Sequence, residues 1–327
     1  VQYLVEGFVK VGGELQAARL QSPHSAGGRA VRIGISLTLV KLLNFHSISN
    51  EDLIADIITI TLQMVGNDKQ FMETVLAEGL DITSVENAEK MTTLFSTTKK
   101  SHADAGLARL ATNRVLREGL MASETIQGTV LQRLILCVAS SVDAEKQGQL
   151  NAHQLQVCVI EISHLLTTLG EAAGSSVVEL IPILKQLLQH PDQGVRYETA
   201  ICCVALATSF PMHGRKLFRD TINDVQVQHA ELVTLASLEE PSSRELSPKR
   251  NTRFRRKEDK KENNSLVYQY AIHGQALVIA VLLRELPRLP GGIPQEFMAM
   301  AMSVAEILVC TQALDHLTRK NPGGVCT

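Results

Sequence analysis

The sequence predicts an all-α protein, an α-solenoid of antiparallel helix pairs with an armadillo-like superhelix. Three observations lead there. Apolar residues recur at helical spacing along nearly the whole chain, and no stretch reads convincingly as a strand. Hydrophobic residues make up 45% of the 327 residues but aromatics only 4%, with no Trp, so the core must be built from Leu, Ile, Val and Ala, which favours packed helices over a sandwich or barrel. Short connectors of Gly, Asn, Asp and Pro separate the helical runs, whereas a sheet with crossover helices would need apolar strand runs between them.

Taken in order, Arg29 to Phe45 reads as a helix with Val31, Ile35, Leu39, Leu42 and Leu43 as its apolar set. Asn50 is placed to cap a helix that runs to Val65, with Glu51 and Asp52 in its first turn. The stripe Ile54, Ile57, Ile58, Thr61, Leu62, Val65 supports it, and favours helix over strand for the β-branched run 57–61. Further helices are expected at Lys69–Glu78, Ser84–Phe95, Ala103–Gly119, Ser123–Val142, Ala152–Leu169, Ser175–Gln189 and Gln193–Phe210. No run reaches the roughly 18 uncharged apolar residues of a membrane span, the longest candidate being Tyr268 to Leu283. Val1-Gln2-Tyr3 has no initiator Met and no basic leader, and the tail Asn321–Thr327 is Gly- and Pro-containing, so a piece of a longer protein is expected.

The clearest unit spans Ser175 to Pro211. Its first helix carries Pro182, which removes one backbone hydrogen bond and bends the helix. The turn His190-Pro191-Asp192-Gln193-Gly194 follows, and Val195-Arg196 opens a second helix rich in small residues. Asp192 can cap that second helix. Arg196, one turn in, is placed to reach the Asp of a neighbouring unit and so build a ladder between repeats. A bent first helix, an Asp in the turn and Val-Arg opening the second helix resemble a HEAT repeat. Ala30-Val31-Arg32, followed by Leu37, Leu39 and Leu42, resembles another. Arg32 and Arg196 are 164 residues apart, which accommodates four periods of 41, within the usual HEAT period of about 40–47.

A closer resemblance covers most of the chain. The stretches from Val31-Arg32 to Leu43, from His153 to Gly170, from His190-Pro191 to Pro211, and from Tyr270 to Leu283 with Leu289–Pro294 come in the order found in the HEAT-repeat-containing protein 5 family. The most specific signal is the pairing of His190-Pro191 with Gly292-Ile293-Pro294. The Trp of the family's Ala-rich second helix is missing from Ala200–Leu206. The resemblance implies a cytosolic, peripheral scaffold of the trans-Golgi network and endosomes that assists clathrin adaptor protein complex 1 and its accessory proteins. The alternative is a HEAT scaffold of another class, transport-receptor-like or phosphatase-regulatory-like.

The domain reading is a HEAT array over 1–238, a disordered charged insert over 239–265, continuation of the array over 266–320, and a tail over 321–327. From Arg244 to Glu262 the insert holds nine basic and four acidic residues, a local excess of five, although the whole chain carries a net charge of −2. Such a composition buries too little apolar surface to offset its ordering entropy. A solvated linker is the plain reading. Lys249, Arg250, Arg253, Arg255, Arg256, Lys257, Lys260 and Lys261 also form a candidate contact for an acidic partner or anionic lipid. The same tract would suit nuclear import or RNA, but the near-neutral chain argues against a dedicated nucleic-acid binder. Ser247-Pro248 is a candidate phosphorylation site.

Motifs of chemistry are missing. There is no phosphate loop, no G-x-S-x-G and no H-E-x-x-H, and the glycine pairs follow no strand. The six cysteines form no C-x-x-C, so no zinc site is expected, and their use fits a reducing compartment. Cys202 and Cys203 read as small packing residues, because adjacent helical side chains point about 100° apart and do not chelate one ion together. His190 is expected to close a helix end. Met298, Met300 and Met302 read as an adaptable packing surface, with a peptide groove as the second option. No catalytic activity, cofactor, metal or small-molecule substrate is expected.

Overall fold

Local capping sequences set where the helices begin, and apolar stripes set which faces they bury. The structure, a computed structural model, describes residues 6, 7, 10, 26–44, 50–65, 111, 113–120, 123–142, 150–237, 252–289 and 295–310. Among the described residues all regular structure is helical. Two compact units divide the chain, Val1–Leu180 and Ile181–Thr327.

In the first unit, α1 (Ala26–Asn44) buries Ile35, Leu39, Val40 and Leu43. Helix α2 (Glu51–Met64) begins as its cap dictates: the Asn50 side chain accepts from the Asp52 amide at 2.9 Å and from the Leu53 amide at 3.4 Å. Its β-branched run is helical because Ile54, Ile57 and Ile58 bury one helical face, and the Thr59 and Thr61 hydroxyls, held in the helix, donate back to the carbonyls of Ala55 and Ile57. A π-helical turn at Val115–Gly119 packs on α1. Ser123 caps α3 (Glu124–Val142) by accepting from the Ile126 amide. Helix α4 (Ala152–Leu169) opens with a capping box, in which Asn151 and Gln154 satisfy each other's backbone amides. Gln154 also donates to the Leu62 carbonyl at 2.8 Å, which satisfies an end carbonyl of α2. Helices α2, α3 and α4 pack on one another. Gly170 closes α4 with φ of 53°, a left-handed value that favours glycine. A short 3₁₀ turn, Gly170–Ala173, leads into α5 (Gly174–Leu187).

The unit boundary falls inside α5, just before Pro182. In the second unit, α6 (Gln193–Ser209) buries Leu206 beside Ala200, Cys202, Cys203 and Ala207, four small side chains that allow close approach of neighbours. Helix α7 (Pro211–Ser237) follows at once. It buries Leu217, Phe218, Thr221, Ile222 and Val225 in an i, i+1, i+4, i+5, i+8 stripe. Helix α8 (Thr252–Arg284) packs on both α6 and α7, and α9 (Gln295–Cys310) packs on α7, where Phe297 meets Phe218 with ring centres 6.1 Å apart. Met302 on α9 is 64% exposed, whereas Met298 and Met300 are half-buried.

Several expectations need correction. Sequence reading ends a repeat unit at Pro211 and gives no helix bounds for the rest of the array to residue 238, whereas Pro211 itself starts α7. Proline is well suited to the first helical position because the amide it lacks has no helical partner there. Residues 252–265, expected to be disordered, are helical and form the start of α8. Lys, Arg and Glu are good helix formers, and Arg255–Asp259 and Glu258–Lys261 are spaced as i, i+4 and i, i+3 pairs of opposite charge. Residues 239–251 and the expected helices Lys69–Glu78 and Ser84–Phe95 lie outside the described residues. The absence of a long enough span is also corrected. By length and composition alone, Glu124–Val142, Ala152–Leu187 and Leu266–Arg284 are long and apolar enough to cross a membrane. Isolated charges such as Arg133 and Glu161 interrupt a charge-free run without lowering the mean hydropathy below that of a span. Between 33% and 44% of each apolar window is buried within the protein.

Candidate functional site

The α5–α6 turn brings His190, Asp192 and Arg196 together with His273 of α8. The helix end is closed from both sides. The His190 amide donates to the Leu187 carbonyl at 3.0 Å, and the His190 Nδ1 accepts from the Asp192 amide, also at 3.0 Å. Asp192 then caps α6, its carboxylate accepting from the Val195 amide at 3.1 Å. The expected capping role of Asp192 and the helix-closing role of His190 are both present.

Arg196 departs from expectation. It is buried, at 5% exposure, and folds back over its own turn. One terminal nitrogen donates to the His190 carbonyl at 2.6 Å and to the Pro191 carbonyl at 2.8 Å. Its Nε donates to His273 Nδ1 at 3.1 Å, and its guanidinium carbon lies 5.1 Å from the centre of the Tyr270 ring. The Arg–Asp ladder to a neighbouring unit is therefore replaced by a clamp on the turn and on α8. The reason is reach: the two turn carbonyls are one helical turn away, and α8 brings His273 and Tyr270 into line with the remaining donor. Gly274 allows that approach, since a Cβ there would run into the Leu188 carbonyl.

Burial dominates the electrostatics. It lowers the pKa of Arg196, with Tyr270 and Asp192 opposing the shift. It also lowers His273, helped by the adjacent guanidinium. His190 is lowered by burial, against the pull of Asp192. Cys202 and Cys203, further along α6, are fully buried, with burial pushing Cys203 up to about 12 and Cys202 well above its ordinary value. Both stay protonated at neutral pH, which fits packing and disfavours nucleophilic chemistry.

Sequence reading missed a second cluster. Glu161 on α4 is buried, with 1% of its side chain exposed, and Arg117 of the π-helical turn donates through Nε to both carboxylate oxygens, at 3.2 and 3.0 Å. The available signal was one carboxylate inside the apolar run Val157–Ile162, a position that needs a buried partner. Nearby on α3, Gln132 accepts from Ser176 at 3.0 Å and donates to Glu179 at 3.0 Å.

The remaining expected residues do not join either cluster. Arg32 lies in α1, with its side chain outside the described residues. Arg253, Arg255, Arg256, Lys257, Lys260 and Lys261 lie on the helical backbone of α8, again with undescribed side chains. Ser247, Lys249 and Arg250 lie outside the described residues. Among the described residues no three His, Cys, Asp or Glu side chains converge as metal ligands. Comparison with known proteins finds no matching family model, no matching curated protein and no matching solved structure.

Proposed function

We propose that the chain is a HEAT-type α-solenoid acting as a non-catalytic scaffold, which binds segments of protein partners along its stacked helices. The observation that carries this reading is the α5–turn–α6 unit: a Pro-containing first helix, an Asp192 cap and an Arg196 clamp over the turn, joined to a second helix of small buried residues. Clamped turns of this kind fix the angle between paired helices, and fixed angles are what let such pairs stack into an extended binding face.

The setting is carried by the sequence resemblance. On that basis the scaffold works in transport between the trans-Golgi network and endosomes, cytoplasmic and peripheral to those membranes, alongside clathrin adaptor protein complex 1 and its accessory proteins. The basic residues from Lys249 to Lys261 supply a contact for an acidic partner or lipid, and phosphorylation of Ser247 would weaken it by offsetting charge. Proximity labelling with the chain fused to a biotin ligase tests the assignment. Enrichment of adaptor subunits and accessory proteins is expected. Import cargo or phosphatase subunits in their place would move the scaffold to another class.

A further inference from the structure

Two hydrogen bonds around Arg196, one on its guanidinium and one inside the turn it clamps, require neutral histidine rings. His273 Nδ1 accepts from Arg196 Nε, and His190 Nδ1 accepts from the Asp192 amide. A ring that takes a proton on Nδ1 becomes a donor there and can no longer accept. A protonated His273 also places a second positive charge against the buried guanidinium. The protonated His190 ring would lie on the same turn whose carbonyls hold that guanidinium.

The surrounding groups give partial relief. Asp192 in the turn acts on both His190 and Arg196, and Tyr270 of α8 lies against the guanidinium. On α7, which packs against α8, Glu231 is engaged by Tyr268, while Asp220 and Asp224 pair with Lys185 at 3.3 and 3.6 Å. Among the described residues, the charged group acting on His273 is the Arg196 guanidinium.

We infer that His190 and His273 form an acid-sensitive latch on Arg196, which holds α8 against the α5–α6 turn at neutral pH and releases it on acidification. The sign follows from linkage. Both rings titrate below their ordinary value of 6.5 when folded, so the unfolded or released state binds more protons. The latch therefore contributes fully above about pH 6.5 and is lost as the pH falls through the folded values. The inference concerns regulation of the fold and does not depend on the scaffold assignment.

The test is amide hydrogen exchange of the full chain at pH 7.5 and 5.5, corrected for intrinsic exchange chemistry. Protection of amides in 270–282 of α8 and at the start of α6 should fall roughly tenfold at the lower pH, with α2 and α4 changing less. In the double variant His190→Asn, His273→Asn, the Asn Oδ1 occupies the place of Nδ1, accepts the same hydrogen bonds and does not titrate. That variant should show no such fall. Unchanged protection in the wild type, or the same fall in the variant, overturns the latch. Histidine resonances of the wild-type protein give an independent reading: both rings should titrate below 6.5, and a value at or above that for His273 overturns it regardless of how the variant folds.

Discussion

Removing the Arg196 guanidinium leaves two turn carbonyls and the His273 ring without their donor, and Tyr270 without its cation. Hydrogen bonds from a charged group contribute about 1.5–3 kcal/mol each, but they are not additive when one side chain makes all of them. Arg196→Ala should destabilise the second unit by about 2–4 kcal/mol, read as a lowered denaturant midpoint. Arg196→Lys should recover only part of that loss, since a point charge lacks the planar fork that reaches two carbonyls and a ring at once. The buried thiols give a second check at this scale. Cys202 and Cys203 should resist alkylation at pH 8 until the protein unfolds, because burial holds both as thiols well above that pH. Rapid modification of either in the native protein, followed by mass spectrometry, would contradict their placement.

At the scale of helices, two glycines should respond in opposite directions to the same substitution. Alanine is the better helix former by about 0.5–1 kcal/mol, so Gly128→Ala in α3, with open space around it, should stabilise by that amount. Gly274→Ala in α8 should instead destabilise by about 2–3 kcal/mol, because the new Cβ meets a backbone carbonyl that cannot move aside. Thermal melts of the two variants decide the point. This contrast also marks what a sequence can reveal. Asn50, Ser123, Asn151 and Asp192 announce helix starts because a cap and its amide lie within three residues. Pro211 misled, since a proline reads equally as a stop or as a first helical residue. The basic start of α8 misled because a polar composition that reads as disorder is also rich in Lys, Arg and Glu, good helix formers. The site itself was half legible. Asp192 and His190 act within their own turn, whereas Arg196 finds His273 across 77 positions and Arg117 finds Glu161 across 44, separations that no local pattern encodes.

The chain is all-helical among its described residues, in two compact units. The proposal adds that such helix pairs stack in one direction, which is what gives a scaffold its extended face. That addition has a measurable consequence in size. A compact globule of 327 residues has a radius of gyration of about 20 Å. Small-angle X-ray scattering of the monomeric chain is the most direct measurement. The solenoid reading predicts a radius of roughly 25 Å or more and a distance distribution skewed to long separations, with the Kratky profile of a folded chain. A radius near 20 Å with a symmetric distribution would contradict it.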